Sequence, residues 1–150
     1  MRFSILSGAA LVSSVYAVGN AIVINKSPST FYVWSVGDSV GSRQTVVAGG
    51  NYSEPLHRAP NAGGIAVKIT KTGELSNGVP TQIFSYSLDG ANVWYDLSTT
   101  FGEPFKGQRI TVTSPIGGTI DWPAGSNPGG SQVKVASSEG NVVFTAYAAV

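Results

Sequence analysis

Residues 82–105 read QIFSYSLDGANVWYDLSTTFGEPF, and this stretch decides the fold class. Phe84, Tyr86 and Leu88 alternate with Ser85 and Ser87, the period of a half-buried strand. Asp89-Gly90 then supplies a turn, because Gly adopts positive φ freely and Asp tolerates it. Beyond it, Val93-Trp94-Tyr95-Asp96-Leu97 carries the bulky side chains that suit a pleated, packed surface. A tight hairpin, an aromatic load and a lone carboxylate at Asp96 therefore fall together.

The rest of the chain is strand-like in the same way. Its 150 residues suffice for one domain with a sizeable core. Only 11% of residues are charged, against 19 glycines and 8 prolines, a balance that favours short strands and turns over helices. A hydrophobic fraction of 42% argues against disorder. About ten short strands, among them residues 19–25, 31–36, 64–71, 109–114 and 142–147, follow at the spacing of a sandwich or barrel. The first two are expected to pair as a hairpin. Residues 115–130 are the most Gly- and Pro-rich part, interrupted by Thr119-Ile120-Asp121-Trp122.

The N-terminus reads as a signal peptide over residues 1–17. Arg2 gives a positive start, an apolar segment too short to span a bilayer follows, and Val15-Tyr16-Ala17 is a small-residue exit. The mature domain is then residues 18–150. Nine Lys and Arg oppose eight Asp and Glu, and loss of Arg2 leaves the two equal. With no basic cluster, nucleic acid and anionic membrane are poor partners. The chain has no cysteine, which rules out thiol catalysis, thiolate metal ligation and disulfides. Asn25-Lys26-Ser27 and Asn51-Tyr52-Ser53 are glycosylation sequons, the second in a turn context that favours exposure.

Little else carries chemistry. Paired-carboxylate catalysis needs two acids across a cleft, about 5–10 Å apart. Asp96, Glu103 and Asp121 lie near aromatics and are the candidates; the other acids read as solvated turn residues. The only histidine, His57, lies in a Pro-flanked loop with no Gly-x-Ser-x-Gly elbow, so it reads as an exposed loop residue and not as part of a triad. One His and no Cys leave no metal site, and no cofactor is expected. Aromatics on strands are more often core, so Trp34 and Trp94 read as core. Trp122, in its loop-rich segment, reads as the exposed one.

Several runs, taken in order, carry a resemblance. GNAIVIN (19–25), FYVWSVG (31–37), GGNYSEP (49–55), VWYDLS (93–98), FGEPF (101–105) and PGGSQVKV (128–135) resemble thaumatin-like proteins. Within these they resemble the fungal antigenic group, the Blastomyces yeast-phase-specific family, over essentially the whole mature chain. The resemblance implies a thaumatin-like antiparallel β-sandwich, secretion and display as a fungal antigen. It also raises glucan binding or hydrolysis in an acidic cleft of one Arg and several acids. Carried over by position, Asp96 matches one acid, Phe101 and Ser85 stand where two others are expected, and Lys68 stands near the Arg. One acid cannot be both acid and base or nucleophile, which weighs against glucanase activity of the family type. Relatives also carry cysteines, and Ser27, Gly118 and Ala136 lie about where some of them fall.

The reading is thus an all-β secreted sandwich, monomeric, without disulfides. Its leading function is a non-catalytic surface or wall protein that binds polysaccharide through the Lys68 and Asp96 region or the Trp122 loop. Two alternatives stand beside it: a weak β-1,3-glucanase centred on Asp96 with Glu103 or Asp121, and a protein-binding effector or inhibitor module using the loop of residues 54–64.

Overall fold

The computed structural model describes residues 17–150. The signal-peptide assignment therefore falls, apart from Ala17, outside the described residues. All regular structure within them is strand: β1 (Asn20–Lys26), β2 (Phe31–Val36), β3 (Gln44–Val46), β4 (Asn51–Pro55), β5 (Ile65–Thr70), β6 (Thr81–Asp89), β7 (Asn92–Thr100), β8 (Gln108–Thr113), β9 (Ile120–Trp122), β10 (Lys134–Ser137) and β11 (Val142–Ala149). A five-stranded sheet runs β4-β1-β11-β8-β9 and a six-stranded sheet β10-β7-β6-β5-β2-β3. Their inner faces meet as a sandwich, the expected architecture.

The central hairpin forms as the alternation requires, with its turn one residue later than expected. Asp89 pairs with Asn92, so the connecting residues are Gly90 and Ala91. Gly90 has φ +58°. Positive φ at the first of two connecting residues is the type II′ signature, which matches strand twist.

One expectation about the first strands fails. β1 and β2 do not pair: β1 lies between β4 and β11, while β2 lies between β5 and β3 in the other sheet. The β1–β11 pairing is parallel, the one departure from an antiparallel sandwich. Asn25 explains the crossing. It is 0% exposed, and its Nδ2 donates towards the carbonyls of Ser29 (2.8 Å), Val46 (3.0 Å) and Val47 (3.1 Å). Its Oδ1 accepts from the N–H and Oγ of Ser27 at 3.0 and 2.7 Å. This side chain supplies the hydrogen bonds that the backbone forgoes at the corner between sheets. In the sequon Asn25-Lys26-Ser27, the amide nitrogen of Asn25 is thus buried and hydrogen-bonded. Asn51 is exposed, on the edge strand β4 and not in a turn.

The core is aromatic. Phe31 meets Phe105 edge-on at 5.6 Å between centroids, Phe105 meets Phe144 at 5.8 Å, and Phe144 stacks on Phe84 at 6.3 Å. Phe144 comes from one sheet, and Phe31 and Phe84 from the other. Each such pair adds about 0.5–1.5 kcal/mol beyond burial. Without disulfides, this packing holds the sheets together. Phe144→Ala is expected to lower unfolding free energy by about 3–5 kcal/mol, whereas Val135→Ala, at an exposed strand position, stays within about 0.5 kcal/mol; denaturant titration of both variants checks this.

Candidate functional site

The alternation that buries Phe84, Tyr86, Tyr95 and Leu97 sends Ser85, Ser87, Trp94 and Asp96 to the opposite face. The register aligns them across the six-stranded sheet. Asp96 lies opposite Ser85, and Ser85 opposite Ala66. One row further, Lys68 lies opposite Ile83 on one side and Trp34 on the other. On the far side Trp94 sits between Ser87 and Val135.

These side chains floor an outer groove of about 490 Å³, lined among others by Val36, Lys68, Ser85, Trp94, Asp96 and Val133. Asp96 is its one carboxylate. Asp96 Oδ1 accepts from the N–H of Leu97 at 2.7 Å, which fixes the side chain against its own strand. Among the described residues, the ion pair found is Arg109–Asp121, so Lys68 and Asp96 do not neutralise each other by contact. The groove therefore offers an indole wall, hydroxyls, one cation and one anion, and no second acid for a carboxylate mechanism.

The other sequence candidates lie elsewhere. Trp122 is 0% exposed, in the core, with its indole Nε1 donating to Gln132 Oε1 at 2.9 Å. Trp94, read as core, is 43% exposed. The two assignments exchange for separate reasons. Trp122 pairs with Ile110 in the short strand β9, which turns it inward, whereas Val93 and Tyr95 already fill the inner positions beside Trp94. Asp121 belongs to the other sheet, where its carboxylate accepts from Arg109 Nε at 3.0 Å and Nη2 at 2.9 Å. That guanidinium lowers the Asp121 pKa. Glu103 accepts from Ser126 Oγ at 2.8 Å. Neither acid lines the groove that holds Asp96.

A second cluster escaped the sequence. Glu54, on β4, accepts from Tyr52 at 2.7 Å and from Tyr86 at 2.8 Å. Tyr86, on β6, lies 3.0 Å from His57 Nδ1, which is itself 2.9 Å from the carbonyl of Pro55. That carbonyl can only accept, so Nδ1 carries the hydrogen. The cluster ties one sheet to the other at the end where the loop of residues 54–64 departs. No sequence spacing announces it, because Tyr52 and Tyr86 converge only once the sheets have packed. Burial first, and then the bond to Glu54, raise the pKa of both phenols.

The fold and this groove define a thaumatin-like β-sandwich. The family model described as Blastomyces yeast-phase-specific protein matches residues 8–148, and the chain belongs to this family. An antigenic thaumatin-like protein of Arthroderma benhamiae is 35% identical over 108 residues, covering 69% of this chain and 54% of that protein. The secreted thaumatin-like protein calA of Emericella nidulans is 30% identical over 81 residues, 54% of this chain and 46% of that protein. The chain thus spans about half the length of the curated relatives it matches. Among solved structures, the protein elicitor MoHrip2 from Magnaporthe oryzae superposes with a TM-score of 0.71 at 25% identity, over 85% of this chain and 97% of that one. The thaumatin-like xylanase inhibitor TLXI gives 0.58 at 11% identity, over 84% and 97%, and shows the fold alone.

Because folding raises the phenol pKa values of Tyr52 and Tyr86, the folded chain keeps protons that the unfolded chain loses above about pH 10. Their contribution is complete below that pH and declines as pH rises through it. Thermal melts across the alkaline range are expected to show Tm falling above about pH 10, with a shallower fall in Tyr52→Phe/Tyr86→Phe. An equal slope in that double variant would contradict the coupling.

Proposed function

We propose that this chain is a secreted, non-catalytic fungal thaumatin-like protein that binds neutral polysaccharide of the wall or surface through the outer groove. The observation that carries this reading is the groove's content: an exposed Trp94 beside hydroxyls, Lys68 and a single carboxylate, Asp96. An indole face packs on apolar faces, and scattered polar groups take hydroxyls, the usual division of labour in a binding site. Hydrolysis would need a second acid in reach. Secretion is supported by the leader composition of residues 1–17, by a relative named as secreted, and by the exposed sequon at Asn51, which we assign as the glycosylated position. An antigenic role follows the name of the Arthroderma relative.

A second reading, a protein-binding effector or inhibitor, is favoured by the exposed apolar run of Trp94, Val133 and Val135 and by the elicitor name of the structural neighbour from Magnaporthe oryzae. The loop of residues 54–64 is the further surface it could use.

Incubation of the mature domain with insoluble β-1,3-glucan separates these readings. Co-sedimentation without release of reducing sugar is expected, with retention reduced roughly tenfold in Trp94→Ala. Sugar release that disappears in Asp96→Asn would make the protein an enzyme. Absence of both binding and release would leave the protein-binding module as the account.

A further inference from the structure

The loop after β7 holds an exposed aromatic that the sandwich does not use. Phe101 is 55% exposed, lies outside the core and has φ +59°, the one positive value among non-glycine residues described. Bulky side chains avoid this region, and such outliers persist where surrounding structure enforces them. The enforcement is visible next door. Gly102, at φ +126°, lies so close to Pro80 that an added Cβ would sit 3.3 Å from that ring. Backbone packing on Pro80 therefore holds the loop while Phe101 stands in solvent.

Its position continues the groove. A smaller hollow of about 110 Å³ is lined by Lys68, Leu75, Asn77, Thr81, Thr100 and Phe101. Lys68 lines both this hollow and the main groove. Along β7, Trp94 and Thr100 are six residues apart, about 20 Å at the rise of a strand. The outer face thus carries two hollows that meet at Lys68, one with exposed Trp94, Ser85 and Asp96 and the other with exposed Phe101.

We infer that Trp94 and Phe101 are paired platforms for an extended, neutral, linear glycan chain lying along β7, with Phe101 as the residue that sets the length of chain recognised. This rests on the polysaccharide reading above and specifies how the ligand lies. Three features favour this occupant. The face formed by the two hollows is long and shallow, so a single sugar would engage one platform only. Its lone cation and lone anion leave no net charge to attract an acidic polymer. Rings with apolar faces and hydroxyl-bearing edges match exposed aromatics with polar side chains beside them.

Calorimetric titration with a β-1,3-linked glucose disaccharide and hexasaccharide tests the inference. The hexasaccharide is expected to bind roughly tenfold more tightly than the disaccharide. Phe101→Ala removes roughly that factor for the hexasaccharide and leaves the disaccharide unchanged. Trp94→Ala weakens both. Phe101→Gly, which relieves the backbone, loses the same affinity while melting no lower than the parent, so the loss does not come from unfolding. Hexasaccharide binding that is indifferent to Phe101 would overturn this inference and leave the polysaccharide reading standing. No binding of either sugar would overturn both.

Discussion

The register of the β6–β7 hairpin is the constraint on which the rest depends. Strand side chains alternate with a period of two, so a slip of one residue would move every side chain of the hairpin to the other face. In the observed register Phe84, Tyr86, Tyr95 and Leu97 enter the core while Ser85, Trp94 and Asp96 form the groove floor. Core and site are two faces of one decision. It is fixed by Gly90, whose positive φ permits a two-residue connection, and by the apolar row that must leave water.

A sandwich without cysteines needs other ties between its sheets. Intersheet aromatic contacts supply the largest, with Phe144 reaching Phe84 and Phe105. Polar ties close the ends. Asn25 satisfies the backbone where the chain passes from one sheet to the other, and Glu54 joins β4 to Tyr86 on β6. Lys71 reaches Gln108 across the sandwich, and partial burial lowers its pKa. A missing disulfide costs about 2–5 kcal/mol, a deficit that contacts of this kind can offset only together.

Much of the fold was legible because strand periodicity is local. β5, β6, β7 and β8 follow from alternation and turn residues alone, and the family resemblance points to the sandwich. What was not legible is non-local. The separation of β1 from β2 depends on an asparagine whose amide is engaged by β3 and its flank, which no short window contains. The exchange of Trp94 and Trp122 has a different origin. Gly- and Pro-rich flanks made residues 115–130 read as loop, and β9 is a strand only because β8 pairs with it. Trp94 could have been placed correctly from its own neighbours, since inward Val93 and Tyr95 leave residue 94 outward. For the site, Lys68 and Asp96 were identified and do share a groove, while Glu103, Asp121 and Trp122 do not reach it. Nothing local in the sequence marks Phe101 as exposed and backbone-strained.

Three tryptophans give three indole N–H signals, and these report on the central claim directly. We would follow them by nuclear magnetic resonance during titration with a β-1,3-glucan oligosaccharide, assigning Trp94 from the signal missing in Trp94→Phe. The Trp94 indole is expected to shift progressively with added sugar while that of Trp122, buried and bonded to Gln132, stays in place. A response at Trp122 without one at Trp94, or no response at any indole, would contradict a binding face built on the outer side of the β6–β7 hairpin.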